Sequence, residues 1–314
     1  MSAAKLRIAA LAFGFLLLAA LPARAGIYYV TVAGLSGEPD YERQFTQLAS
    51  DLDRLLKSTG PGAHVYTLTD ATRANLAQTL ARVATEAKPD DDFVLILIGH
   101  GTFDGFEYKF NLVGPDITAQ DLARLCDPIR SKRQLIVNTT EASGGSVAVL
   151  RRPGRALISA TKDGNEKNAT VFARYFVQAL HDPQSDLNKN NAISAMEAFD
   201  YAQRHTADFY DSQKRLATEH AVFEDTGEHD PTRTPESDTG EGLFLSNFTL
   251  IRLGAAQKAY NDPAERALLA QKEDLERKID TLKYHKAAMS QDDYKQQLTQ
   301  ALLDLAKVQE QLEK

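Results

Sequence analysis

The chain has 314 residues, 43% of them hydrophobic and 25% charged, with a net charge of −7. This balance is that of an ordinary globular protein, and without a basic stripe interleaved with aromatics it argues against a nucleic-acid binder. A single cysteine, Cys126, excludes an internal disulfide framework.

Lys5 and Arg7 precede an apolar run from Ile8 to Leu21, and Pro22-Ala23-Arg24-Ala25 follows. This is a secretory leader with an Ala-x-Ala cleavage site. Residues 1–25 are therefore expected to be removed, leaving a mature chain that begins at Gly26 and is exported, periplasmic or extracellular. The run is short for a membrane span, and no cysteine follows the site to carry a lipid, so no membrane association is expected after cleavage. Ile27 to Val32, rich in β-branched and aromatic residues, predicts the first strand. The Gly34-Leu35-Ser36-Gly37 loop lacks the Lys-Ser/Thr of a phosphate loop. Tyr41 to Lys57 repeats Phe45, Leu48, Leu52 and Leu55-Leu56 at helical spacing. Val65 to Leu68 predicts a second strand, and Thr69-Asp70 a cap for a helix over about Ala71 to Ala87.

Phe93 to Ile98 is an unbroken apolar run after Asp90-Asp91-Asp92, and it leads directly into Gly99-His100-Gly101. It reads as a strand buried on both faces in a parallel sheet, with His100 at the carboxyl edge where such sheets bind ligands. Phe106 to Val113 predicts a short hairpin, Ile117 to Leu125 a capped helix, and Gln134 to Asn138 a fourth strand. That strand ends in Thr139-Thr140-Glu141-Ala142-Ser143-Gly144-Gly145. Ala156 to Thr161 is expected as a fifth strand, Ala169 to Leu180 as a helix, and Phe244 to Ile251 as a closing strand. Strands alternating with helices of these lengths predict an α/β fold, a parallel sheet covered on both faces.

An apolar strand ending in His-Gly, followed by one ending in a small-residue turn with Ser-Gly, resembles the caspase-like cysteine peptidases, and among them the legumain family most closely. The resemblance implies a caspase-like parallel-sheet sandwich over residues 26–254, with His100 and Gly101 at the family's histidine. The family's nucleophile follows the fourth strand in a Glu/Asp-Ala-Cys-x-Ser-Gly pattern, and this chain has no cysteine there. Matching Glu141-Ala142 to the family's first two residues puts Ser143 at the nucleophile. Matching Ser143-Gly144 to its Ser-Gly puts Glu141 there and keeps Leu135-Ile136-Val137 on the strand without a shift, which we prefer. A thiol is substantially ionised near neutral pH, whereas a serine needs a closely positioned base, and a glutamate beside a histidine is expected to pair with it rather than attack a carbonyl. Cys126, on the helix before the fourth strand, reads as a small buried residue. The expectation is thus a degenerate pseudopeptidase that binds a peptide or protein at the old cleft. The alternative is an active endopeptidase with His100 as base and Ser143 as nucleophile.

Residues 186–197 fit a twelve-residue EF-hand loop, with candidate Ca²⁺ ligands Asp186, Asn188, Asn190, the carbonyl of Ala192, Ser194 and Glu197. Asn191 takes the position usually held by glycine, and the two carboxylates predict a weak, structural site. A helix from Ala195 to about Tyr210 follows. Glu224 to Gly242 is acidic and reads as a solvated loop. From about Pro263, Leu268, Leu275, Leu282 and Met289 recur every seven residues, and Leu298, Leu305 and Leu312 do so again after a Ser290-Gln291-Asp292-Asp293 cap. Residues 255–314 are expected to form an antiparallel coiled-coil helical hairpin whose exposed side docks on the main domain or on another chain, the latter serving self-association or a partner.

Overall fold

A computed structural model describes residues 25–313. The predicted leader lies outside them except for Ala25. In β1 (Ile27–Ala33) every residue is buried. Pro39, which pre-sets a helical φ, opens α1 (Pro39–Ser58). After β2 (Ala63–Leu68), Thr72 rather than Thr69-Asp70 caps α2 (Arg73–Glu86). The reason is a reciprocal pair of bonds, from Asn75 N to Thr72 Oγ1 at 3.2 Å and from Thr72 N to Asn75 Oδ1 at 2.8 Å.

The apolar run forms β3 (Asp92–Ile98). The stretch expected to be a simple hairpin is a three-stranded antiparallel sheet of β4 (Gly101–Phe103), β5 (Tyr108–Phe110) and β6 (Ile117–Thr118). Ile117 is therefore a strand residue paired with Phe110, and α3 (Ala119–Cys126) starts two residues later under a Thr118 cap. Next come β7 (Arg133–Asn138), α4 (Val147–Leu150), β8 (Arg155–Ser159) and α5 (Phe172–His181). β9 (Ala192–Ser194), α6 (Ala195–Ser212) and β10 (Val222–Glu224) follow.

Six strands form the main sheet in the order β10-β8-β7-β3-β1-β2, all parallel except the antiparallel edge strand β10. The period-2 alternation of β3 divides its side chains between two cores. Val94, Ile96 and Ile98 join Phe45 and Leu52 of α1, Phe172 and Phe176 of α5, and Phe199 of α6. Phe93, Leu95 and Leu97 join Leu76 and Leu80 of α2, Leu122 and Cys126 of α3, and Val147 of α4. β1 leads outward to β2 on one side, and β3 then resumes on its other side. The carboxyl ends of β1 and β3 thus flank the point where the strand order reverses, the usual ligand crevice of such sheets.

Two expectations in the last third of the domain are corrected. Residues 224–242 are not simply a solvated loop: Glu224, Asp225 and Glu241 are all buried. Glu224 ends an edge strand, while Asp225 accepts the N–H groups of Gly242 (2.8 Å) and Leu245 (2.9 Å). Burial, together with the neighbouring Asp225, pushes the Glu241 carboxyl up to about 8. The expected strand at 244–251 is instead a helical turn, α7 (Leu243–Ser246), and a short β11 (Thr249–Arg252) that pairs with β9 away from the main sheet. Asp225 holding the amides at 242 and 245 fixes that turn.

A further helix, α8 (Gly254–Asn261), precedes α9 (Arg266–Tyr284) and α10 (Gln291–Leu312). The last two run antiparallel, since Leu312 packs with Leu269 and Leu298 with Ile279 and Leu282. Their buried residues include Leu269, Ile279, Leu282, Ala301 and Val308 rather than a strict leucine heptad, and Leu302 is 48% exposed. α9 is tied to the domain by a bidentate Arg252–Glu273 pair (2.6 and 3.0 Å) and by Lys272 Nζ donating to Asn190 O at 2.9 Å. Among the described residues, no helix is long and apolar enough to cross a membrane.

Candidate functional site

His100 leaves the end of β3 at the point where the strand order reverses. Its backbone is held by Asn111 N, which donates to His100 O at 3.0 Å, and by Gly34 N, which donates to Ile98 O at 2.8 Å. Gly101 is required by a close approach: a Cβ there would lie 2.4 Å from Thr140 Oγ1 and 2.6 Å from Glu141 O. This contact brings the ends of β3 and β7 together and sets His100 beside Glu141.

His100 Nδ1 lies 2.7 Å from Glu141 Oε1, and the two side chains are 20% and 14% exposed. Nε2 lies 3.2 Å from the carbonyl oxygen of Ser36, in the loop after β1. The rings of Tyr41 and Phe45 stand edge-on to the imidazole at 4.7 and 5.1 Å. The hydrogen bond to Glu141 raises the His100 pKa, burial partly opposing it. A His pKa raised by folding contributes stability that is complete below the ordinary value of about 6.5 and is lost as pH rises through the folded value. Glu141→Gln is therefore expected to lower the His100 titration midpoint, as followed by the ring proton resonances, and to flatten the stability profile above pH 6.

Ser143 lies elsewhere. It is fully buried, and its Oγ sits 2.8 Å from Ser159 Oγ and 3.2 Å from Thr161 Oγ1, and accepts Thr161 N at 3.2 Å. Its carbonyl accepts the Ser146 hydroxyl at 2.6 Å. These hydroxyls support the turn from beneath, as do Tyr108 and Asn138, which hold Thr140. Of the four residues singled out at the site, the structure joins His100, Gly101 and Glu141, and it gives Ser143 Oγ no hydrogen bond to His100.

Sequence reasoning missed several neighbours. Ala142 takes a left-handed conformation (φ 56°), which costs a non-glycine residue on the order of 1 kcal/mol. Its N–H donates to Glu166 O at 2.7 Å. The Glu166 carboxylate pairs in turn with His220 Nδ1 at 2.5 Å and accepts Lys162 N and His220 N, both at 3.0 Å. A second carboxylate–imidazole pair thus braces the turn carrying the first. No spacing signal links residues 142, 166 and 220. Phe45 was visible only as part of the apolar stripe of a helix, and Tyr41 only as the start of that segment.

In the 186–197 loop, Asn191 has φ 67°, the left-handed turn that an EF-hand loop requires at its sixth position. Asp186 accepts Asn190 N at 3.2 Å and Asn191 N at 3.1 Å, Asn188 accepts Asn190 N at 3.0 Å, and Asn190 accepts Ala192 N at 2.9 Å. Ser194 and Glu197 form the capping box of α6, and Glu197 Oε1 also accepts Leu187 N at 2.9 Å. The oxygens of Asp186, Asn188 and Asn190 therefore curl over the loop, while Ser194 is already engaged as a cap. Among the described residues, no three His, Cys, Asp or Glu side chains are grouped to hold a metal. A cleft of about 780 Å³ lies between this loop, the 235–246 segment and α9, and His100 is not among its lining residues.

No protein-family model matches the chain, and no curated protein matches it. Solved structures to which it is similar include the Drosophila initiator caspase Dronc, 13% identical, with 67% of this chain and 84% of that one covered at a TM-score of 0.45. A protein from Geobacter sulfurreducens is 15% identical, with 73% and 100% covered at 0.47. Caspase-1 from Spodoptera frugiperda is 12% identical, with 65% and 87% covered at 0.44.

Proposed function

We propose that the protein is an exported, legumain- or caspase-like peptidase-fold module that has lost peptidase chemistry and binds a peptide or protein segment at the carboxyl edge of its sheet. The observation that carries this reading is the 2.7 Å pairing of His100 with Glu141. A carboxylate engaged by an imidazole is a poor nucleophile toward a peptide carbonyl. The alternative nucleophile, Ser143 Oγ, is spent on Ser159 and Thr161. Loss of a catalytic nucleophile lowers kcat by on the order of a million-fold. The test is incubation of the mature chain with a diverse peptide library, alongside His100→Ala and Ser143→Ala. No cleavage above background is expected from any of the three, and Ser143→Ala should cost about 1–2 kcal/mol of stability through lost hydrogen bonds. Cleavage that disappears in both variants would establish the endopeptidase alternative.

We further propose that the 186–197 loop takes Ca²⁺ through Asp186, Asn188, Asn190, the Ala192 carbonyl, Ser194 and Glu197, in a structural role. The left-handed Asn191 supports this, and having only two carboxylates places the affinity at the weak end, on the order of millimolar. Calcium titration followed by thermal unfolding should show a stabilisation that Asp186→Ala removes; an unchanged midpoint would end the idea. The α9–α10 hairpin is proposed as a coiled-coil-like assembly element, with Leu302 and Leu303 exposed on α10.

A further inference from the structure

The residue expected to open the mature chain is built into the domain. Gly26 N donates to Asp91 Oδ1 at 2.6 Å in a buried contact, and Asp91 Oδ2 accepts Lys88 N at 2.8 Å. Gly26 O accepts Asp92 N at 2.9 Å, and Ile27 N donates to Gly62 O at 2.9 Å, so the amide is locked at the amino ends of β1 and β3. The seat is tight, since a Cβ on Gly26 would lie 3.3 Å from the His64 ring and 3.4 Å from Asp91 Oδ1. Asp91 is only 5% exposed, and the hydrogen-bond partners of its carboxylate among the described residues are the backbone N–H groups of Gly26 and Lys88. The preceding residue, Ala25, is exposed, and its carbonyl accepts the Tyr260 hydroxyl at 2.9 Å. A buried carboxylate held by backbone amides is thus aimed at the nitrogen that hydrolysis of the Ala25–Gly26 bond would release.

We propose that removal of the leader at Ala25–Gly26 creates an N-terminal ammonium that ion-pairs with Asp91, so that processing charges a hydrogen bond the fold already makes and stabilises the mature domain. The step is hydrolysis by a processing peptidase. Water adds across the peptide bond, Ala25 leaves with the new carboxylate, and the Gly26 nitrogen takes up protons to become the ammonium. Before cleavage the same nitrogen is an uncharged amide, and Asp91 has only dipoles for partners. The inference rests on the leader and is independent of whether the His100 site is catalytic.

An α-amine paired with a carboxylate titrates above its ordinary value of about 7.7–8.0. Its contribution is complete below that value and is lost as pH rises through the folded one. The titratable and charged groups beside Gly26 and Asp91 include Tyr28 on β1, which also senses Glu86 at the end of α2, His64 on β2, and Lys88, Asp90 and Asp92 on the segment of Asp91 itself, with Asp90 paired to Lys132. Tyr260 reaches over from α8.

The experiment compares the chain beginning at Gly26 with the same chain enzymatically acetylated on its α-amine alone, each with Asp91 and with Asp91→Asn. Denaturant unfolding is measured at several pH values. At pH 6.5, acetylation is expected to lower the folding equilibrium constant by on the order of tenfold when Asp91 is present, the equivalent of one pKa unit. It should have little effect in Asp91→Asn, and the difference should fade above pH 8 to 9. Equal stability of free and acetylated chains would overturn the proposal, as would an acetylation effect that survives Asp91→Asn. N-terminal sequencing of the exported protein is expected to begin at Gly26, and any other start would overturn it as well.

Discussion

Glu141→Cys is expected to give a thiol that alkylates rapidly at neutral pH in the folded protein, while the parent chain is inert under the same conditions. The inertness follows from Cys126, the chain's single cysteine. It is fully buried in the core under α2 and α3, and burial pushes its thiol up to about 12. A cysteine at position 141 would instead stand at the carboxyl edge of β7, where the present side chain keeps 14% of its exposure and touches the His100 ring. A neighbouring imidazolium lowers a thiol's pKa from about 8.5 to below about 7.5, moving most of it into the thiolate form at pH 7. Loss of the imidazole in Glu141→Cys/His100→Ala should slow alkylation at pH 7 by on the order of tenfold. Lower intrinsic nucleophilicity of the more acidic thiol offsets part of that difference.

Iodoacetamide labelling followed by mass spectrometry reads the result. A pH–rate inflection below 8 in the single variant, moving toward 8.5 in the double, would show that His100 acts on whatever atom occupies position 141. Identical profiles would mean that the pairing in the native chain is incidental to the turn. The same pair of variants tests the pseudopeptidase proposal: on that reading, a thiol activated by His100 would mean that the architecture supporting a nucleophile persists at position 141.

The parallel sheet was legible because its strands are consecutive apolar runs of the right length, and His100 because it ends the most apolar of them. The partnership with Glu141 could be argued only from resemblance, since two residues far apart in sequence meet through a glycine-mediated approach of neighbouring strands. The burial of Ser143 was not legible at all. A serine in a Ser-Gly turn looks the same whether it faces solvent or a layer of hydroxyls from the next strand. The acidic stretch after β10 misled for a similar reason: composition assigns carboxylates to solvent, but Asp225 is held by two backbone amides that only the fold supplies. At the C-terminus the heptad spacing located both helices. The residues buried between and beneath them follow α9's docking on the domain, which a two-helix pattern does not contain.

The largest stability change is expected from Arg155, a fully buried guanidinium that composition alone would place on the surface. It opens β8 with only 1% of its side chain exposed. Nε donates to Gln134 Oε1 at 2.9 Å, Nη1 to Leu150 O at 3.1 Å, and Nη2 to Asp127 Oδ1 at 2.9 Å. Gln134 is itself buried and spends its amide nitrogen on Ile129 O and Ser131 O, so its oxygen has no alternative partner in view. Arg155→Ala would leave a cavity and two orphaned buried acceptors, each worth about 1–3 kcal/mol, for a total of about 3–5 kcal/mol. Arg155→Met refills the volume and not the hydrogen bonds, and should recover only the cavity part. Arg155→Lys keeps the charge but loses the planar fork, so it should fall well short of the parent chain. Asp127 supplies the diagnostic. Burial acts to raise its pKa, but hydrogen bonds from Arg155 and Arg152 outweigh it and hold the carboxyl below the ordinary range. A depressed carboxyl contributes stability that is present above about pH 4 and is lost as pH falls through the folded value. Urea unfolding at pH 7 and pH 3 should therefore show the parent chain and Arg155→Met closer together at the lower pH. A gap that does not depend on pH would assign the whole effect to Gln134 and Leu150 and leave Asp127 a bystander.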